Sequence, residues 1–138
     1  MSAPLSPELA RLVEAARLVR EHAYAPYSGF RVGAAVLTRS GKIFRGANIE
    51  NASFGLTLCA ERVALAAAVA EGETRFALLA VASLGGVAPC GACRQFAAEF
   101  SRELPILLVD AEAPGEIVES NLRELLPAQF ELPRKASN

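Results

Sequence analysis

The sequence has few of the features that would place it in a membrane, outside the cell or on nucleic acid. Its longest uninterrupted apolar run, Val63–Ala70, is eight residues, against the roughly 20 that a bilayer-crossing helix needs. No membrane segment is expected. Residues Met1–Ala10 lack a basic stretch leading into an apolar one, so a secretory leader is not expected and a cytoplasmic protein is. Charge of one sign is also missing: 14 Lys and Arg face 15 Asp and Glu, for a net charge of −1. The basic residues are scattered, apart from Arg134-Lys135 near the end. A nucleic-acid binder needs a basic face, so the balance favours a small-molecule substrate. Internal repeats and low-complexity segments are absent. Cysteines number only three and histidine one. An odd count excludes a fully paired disulfide framework. It also excludes a zinc site closed by four cysteines of one chain.

What is present is apolar and helix-forming. Hydrophobic residues make up 52% of the 138-residue chain and charged residues 21%, enough to build a core and too apolar for disorder. One domain spanning 1–138 is expected, with a loosely held tail from Glu131.

Ser6-Pro7-Glu8 reads as a helix start, with a Ser cap, Pro in the first turn and then an acid. Leu9, Leu12, Val13, Ala16 and Val19 follow at helical spacing, and the helix ends before Pro26. Tyr24–Phe30 reads as a loop. Val32–Thr38 and Lys42–Asn48 read as strands joined by a Ser40-Gly41 turn, and Asn51–Leu58 as irregular. Cys59 opens a second helix that Gly72 stops. Its Val63–Ala70 stretch carries no polar residue on any face, which predicts burial all round. Phe76–Ser83 reads as a central strand, Cys90–Phe100 as a helix and Ile106–Asp110 as a short buried strand. Pro114-Gly115 predicts a turn, Ile117-Val118 a further strand, and Asn121–Leu126 a short helix. This order predicts a three-layer α/β/α domain with a mixed sheet of about five strands.

The cysteines suggest a metal. In Cys90-Gly91-Ala92-Cys93 the two thiols sit three residues apart, a spacing that shares one helical face. Cys59 lies at the start of another helix. Helix N-termini favour thiolates through their dipole and free N–H groups. Three thiolates outweigh a divalent ion, so the site needs positive compensation. Arg62, three residues after Cys59, is placed to supply it, with Arg94 a second candidate. Two other readings stay open here: a redox dithiol, and a structural zinc site with His22 as the fourth ligand. Glu61, two residues after Cys59, reads either as a solvated first-turn acid or as a carboxyl with a task. An extra anion beside a thiolate on a buried helix is costly without one.

Cys59-Ala60-Glu61 followed by Pro89-Cys90-Gly91-Ala92-Cys93 resembles the zinc deaminase signature. The resemblance extends to the small homotetrameric cytidine deaminases through Ala25-Pro26-Tyr27-Ser28, Phe30, Val32-Gly33-Ala34-Ala35, Asn48-Ile49-Glu50-Asn51, Arg62, Arg94-Gln95, Glu124-Leu125-Leu126-Pro127 and Phe130. It covers nearly the whole chain in order. It implies the cytidine deaminase fold and one Zn²⁺ per chain on Cys59, Cys90 and Cys93. It implies that zinc activates a water and that Glu61 takes a proton from it, passes one to the cytosine N3 and helps protonate the departing amine. Hydrolysis of cytidine and 2′-deoxycytidine to uridine and 2′-deoxyuridine in pyrimidine salvage follows. It further implies that Asn48 and Glu50 bind the ribose, that backbone near Ala60 meets the base and that Phe30 packs beside it. Phe54 and Phe130 would reach the pocket of a neighbouring subunit. Many relatives carry Tyr at the Phe54 position, so a polar contact through that hydroxyl is missing here. A related deaminase acting on another aminopyrimidine, such as blasticidin S, or on nucleic acid is the enzyme alternative. A zinc module that only stabilises its fold is the non-enzyme one.

Overall fold

The computed structural model describes residues 5–134. A 13-residue helix, α1 (Pro7–Val19), starts where Ser6 accepts a hydrogen bond from the Leu9 N–H and Pro7 fills the first turn. A short 3₁₀ turn, Arg20–His22, extends it. Strands β1 (Val32–Thr38) and β2 (Ile43–Ala47) form a hairpin, with Gly41 at φ +94° in its turn. A second 3₁₀ turn, Phe54–Leu56, leads to helix α2 (Ala60–Ala70). Then come β3 (Phe76–Ser83), α3 (Gly91–Ala98), β4 (Pro105–Asp110), β5 (Ala113–Asn121) and the single-turn α4 (Leu122–Leu125), capped by Asn121.

The five strands lie in the order β2-β1-β3-β4-β5. Only β3 and β4 are parallel, and α3 is their crossover; the other pairs are antiparallel. The sheet is therefore mixed, as expected. Strand alternation divides the core in two. Ala35, Leu37, Leu78, Ala80, Ala82, Leu107 and Val109 face α1 through Leu12, Val13 and Ala16. Ala34, Val36, Leu79, Val81, Ile106 and Leu108 face Ala60, Ala64, Leu65 and Ala68 of α2, Ala97 of α3 and Leu122 of α4. The three layers follow from these two faces.

Two glycines set how closely the helices lie on the sheet. A Cβ on Gly33 would stand 2.1 Å from the Ala16 carbonyl oxygen, and one on Gly46 would stand 2.4 Å from the Ala64 nitrogen. Both strands meet helix backbone where a side chain would otherwise intervene. The Gly46 contact seats α2, and with it Cys59 and Glu61, against β2.

Two expectations need correction. The Val63–Ala70 stretch is not buried on every side: Ala66 and Ala70 are exposed and Val63 and Ala67 half-buried, while Ala64, Leu65 and Ala68 face the core. An alanine-rich sequence shows no polar face, so its pattern cannot mark which side is covered by the same chain. The turn assigned to Pro114-Gly115 falls earlier, at Ala111-Glu112. Residues 114–116 instead take up a register shift in β5 between the Asp110–Ala113 and Val109–Ile117 pairs. β5 is an edge strand, where an irregularity and a proline are tolerated. Beyond α4, Gln129 Nε2 donates to the Arg102 carbonyl and Gln95 Nε2 to the Phe130 carbonyl. Glu131 pairs with Arg102, and Arg134 with Glu99. Residues 129–134 thus run beside α3 and the turn that follows it. Residues 1–4 and 135–138, which include Lys135 and part of the leader region considered above, lie outside the described residues.

Candidate active site

Cys59 is the N-cap of α2 and Cys90 the N-cap of α3, with Cys93 in the first turn of α3. The fold brings the two helix starts together at the C-terminal end of β3, the end at which open α/β sheets commonly bind ligands. The Cys59 and Cys90 sulfurs are 3.8 Å apart, and those of Cys90 and Cys93 3.5 Å. All three lie within 4.8 Å of one another. Sulfurs at tetrahedral corners around zinc, with Zn–S near 2.3 Å, stand about 3.8 Å apart. The spacing fits that ion, and three ligands leave one corner open. Among the described residues this cluster contains no histidine. His22 sits in the exposed 3₁₀ turn after α1, which removes it as a fourth ligand.

The electrostatics also fit a cation. Without one, the sulfurs share protons. A hydrogen bond from Cys93, with help from Arg62, lowers the Cys59 thiol to about 5, while the same bond and burial push Cys93 up. A divalent ion would replace those protons and hold all three sulfurs as thiolates. Arg62 Nη2 lies 3.6 Å from the Cys59 sulfur and 3.5 Å from the Thr57 carbonyl oxygen, in position to offset thiolate charge. Its Nε is buried with no hydrogen-bond partner among the described residues. Arg94, the second candidate for that task, turns elsewhere. Its Nε donates to the Pro89 carbonyl at 2.7 Å and its Nη1 to the Leu125 carbonyl at 2.8 Å. It ties the loop before Cys90 to α4.

Glu61, in the first turn of α2, is 5% exposed. Burial raises its carboxyl above the ordinary 4.5 and the Cys59 thiolate adds to this, while its own backbone N–H and Arg62 act the other way. A solvated helix-start acid would be neither so buried nor so shifted.

Cys59, Ala60, Glu61 and Cys90 line a cleft of about 230 Å³, and Phe30, Asn48 and Glu50 also line it. Asn48 is 8% exposed. Its Oδ1 accepts from the Val32 N–H at 2.9 Å and its Nδ2 donates to the Phe30 carbonyl at 2.9 Å. Glu50 Oε1 accepts from the Tyr27 and Ser28 N–H groups, at 2.9 and 3.1 Å, and Oε2 accepts from the Ser28 hydroxyl. Ser28, Thr57 and Ser83 complete the polar lining. Ser28 belonged to a quoted motif without a role. Thr57 and Ser83 carried no signal, because only long-range folding brings them here.

Phe54 and Phe130 are not part of this cleft. Phe54, 76% exposed, meets Tyr27 edge to face with ring centroids 6.1 Å apart on the outer side of Glu50. Phe130, 67% exposed, lies in a groove with Gln95, Glu99 and Arg102.

An open-cornered thiolate site beside a buried carboxyl, on this three-layer frame, defines a zinc-dependent hydrolytic enzyme rather than a structural zinc module. Residues 7–107 match the family described as the cytidine and deoxycytidylate deaminase zinc-binding region. A cytidine deaminase of Halalkalibacterium halodurans is 48% identical over 122 residues, which cover 86% of this chain and 91% of that protein. One from Sporosarcina psychrophila is 44% identical over 126 residues, covering 89% and 91%. The crystal structure of a cytidine deaminase from Burkholderia pseudomallei superposes with a TM-score of 0.84 at 45% identity, covering 91% of this chain and all of that one. The chain belongs to the cytidine and deoxycytidylate deaminase family.

Proposed function

We propose that the chain hydrolyses cytidine and 2′-deoxycytidine to uridine and 2′-deoxyuridine, one water entering and one ammonia leaving per turnover, in pyrimidine salvage. The observation that carries this is the cleft itself. Cys59 and Cys90 of the three-thiol cluster and the buried Glu61 carboxyl line it together with Asn48 and Glu50.

Zinc held by Cys59, Cys90 and Cys93 would supply Lewis-acid activation of a water at neutral pH. Glu61 takes one proton from the attacking water and delivers it to the ring N3, then takes the remaining proton from the new C4 hydroxyl and passes it to the amine, which leaves as ammonia. Its raised pKa suits a group that serves as base and then as acid. Arg62 offsets thiolate charge. Backbone at Ala60 meets the base, Phe30 packs beside it, and Asn48 and Glu50 take the ribose hydroxyls. A carboxylate already gripped by three donors has its direction fixed before the substrate arrives.

The 138 residues act as one catalytic domain, and four copies share pockets. The exposed side of α2, with Val63, Ala66 and Ala67, joins Ile49, Leu58 and Phe96 around an apolar groove beside Arg62. Exposed Phe54 and Phe130 are then free to enter a neighbour's cleft. Nucleic acid is not a partner: among the described residues no Arg or Lys lines the cleft, which carries carboxyls and thiols. Three free thiols suit a reducing cytoplasm. No helix among the described residues is long and apolar enough to cross a membrane.

Purified protein is expected to hold about one zinc per chain, to release one ammonia per uridine formed from cytidine, and to sediment at about four times the 14.6 kDa chain mass. Release of no ammonia from either nucleoside by zinc-loaded protein would overturn the reading. A panel of 5- and N4-substituted cytidines and blasticidin S then defines its breadth.

A further inference from the structure

We infer that Ser28 is a positioning residue for substrate binding: its hydroxyl fixes the plane of the Glu50 carboxylate and links it to the backbone of Phe30. The inference rests on the reading that Glu50 binds the ribose.

The turn that carries Ser28 is strapped to the Glu50 segment at several points. The Tyr24 N–H donates to the Asn48 carbonyl at 2.9 Å, and the Glu50 N–H to the Tyr24 carbonyl at 2.8 Å. The turn closes through the Gly29 N–H on the Ala25 carbonyl at 2.9 Å, with Gly29 at φ +71°. The Tyr27 and Ser28 amides then both meet one Glu50 oxygen, Oε1. Two donors on a single oxygen leave the carboxylate free to swing its other oxygen about that point. Among the described residues the Ser28 hydroxyl alone holds Oε2.

The direction of that bond is settled locally. The Phe30 N–H donates to Ser28 Oγ at 3.0 Å. A hydroxyl has one proton, and with Oγ accepting from Phe30 that proton goes to Glu50. One side chain therefore sets both the orientation of the ribose acceptor and the backbone at the aromatic wall. Ser28 and Glu50 are 22 residues apart in sequence, and both line the cleft.

The test compares wild type, Ser28→Ala, Glu50→Ala and the double variant for KM and kcat on cytidine, with zinc content and unfolding midpoint measured for each. Ser28→Ala is expected to raise KM about tenfold, as for loss of one charge-assisted hydrogen bond. kcat should change by less than about twofold, as expected when ground-state and transition-state binding weaken alike. Ser28→Thr should restore KM, while Ser28→Val, its isostere without the hydroxyl, should not. In the Glu50→Ala background Ser28→Ala should add almost nothing, since both changes remove one device. Full multiplication of the two KM effects would show that Ser28 acts independently and would overturn the proposal. So would an unchanged KM in Ser28→Ala and Ser28→Val while Glu50→Ala raises it. If Glu50→Ala itself leaves KM unchanged, the ribose reading of Glu50 fails first and the role of Ser28 falls with it.

Discussion

The seat of α2 on β2 makes the metal site sensitive to a single methyl group, at Gly46. A Cβ there would stand 2.4 Å from the Ala64 nitrogen, 2.6 Å from the Ala60 carbonyl oxygen and 2.8 Å from Val63 Cβ. Two of the three atoms are backbone, so no side-chain rotation relieves the clash. Reaching ordinary contact needs a helix displacement of about 1 Å. Overpacking of this kind costs about 1–3 kcal/mol, or roughly 10 °C in unfolding midpoint at the upper end for a chain of this size. The displaced residues include Ala60, between Cys59 and Glu61, so the shift reaches both the proposed zinc ligand and the proposed proton carrier. A misplacement near 1 Å costs about a hundredfold in rate. Gly33→Ala is the control. Its Cβ would meet Ala16 and Arg20 backbone on the opposite face of the sheet, at 2.1 Å and beyond. Both variants should lose stability by calorimetry. Only Gly46→Ala should also lose zinc affinity, measured by chelator competition on folded protein, and turnover per folded chain. Equal zinc affinity in the two variants would refute the coupling of the helix seat to the site.

Arg62→Ala should fold but lose about ten- to a hundredfold in turnover or zinc affinity, the usual effect of removing a group that supports metal ligands; no change in either would remove its electrostatic role. The Glu50 carboxyl should titrate below the ordinary 4.5, because the Ser28 hydroxyl and the Tyr27 and Ser28 amides favour its charged form. Since its folded pKa is depressed, the stabilisation is present above 4.5 and is lost as pH falls through the lower folded value. Carboxyl NMR on metal-free protein should show this shift in wild type and a smaller one in Ser28→Ala; a Glu50 midpoint at or above 4.5 would contradict it.

Much of this site was legible in the sequence because its signals are local. The Cys90–Cys93 spacing, the Ser6 and Gly72 helix boundaries, the Ser40-Gly41 hairpin turn and the near-continuous apolar run of β3 each depend on a few adjacent residues. The deaminase resemblance supplied what local chemistry could not, namely the nucleoside and the proposed roles of Asn48 and Glu50. Other features were hidden for physical reasons. Arg62 and Arg94 each follow a cysteine closely, but only Arg62 reaches a sulfur, because Arg94 is drawn to the Pro89 and Leu125 carbonyls. The half-exposed side of α2 left no trace, since alanine reads the same on a covered or an open face. Pro114 suggested a turn because proline disrupts strands, yet an edge strand accommodates it. The Ser28–Glu50 bond joins residues that only the fold makes neighbours.

The central claim is that Glu61 moves protons at a zinc site that does not need it for metal binding. Glu61→Gln keeps the shape of the side chain and removes its ionisation. Zinc content and cytidine turnover measured on the same preparation test the claim most directly. About one zinc per chain should remain, and turnover should fall by about 10²–10⁴-fold, the range for a general acid–base group. Near-normal turnover with zinc in place would contradict the account.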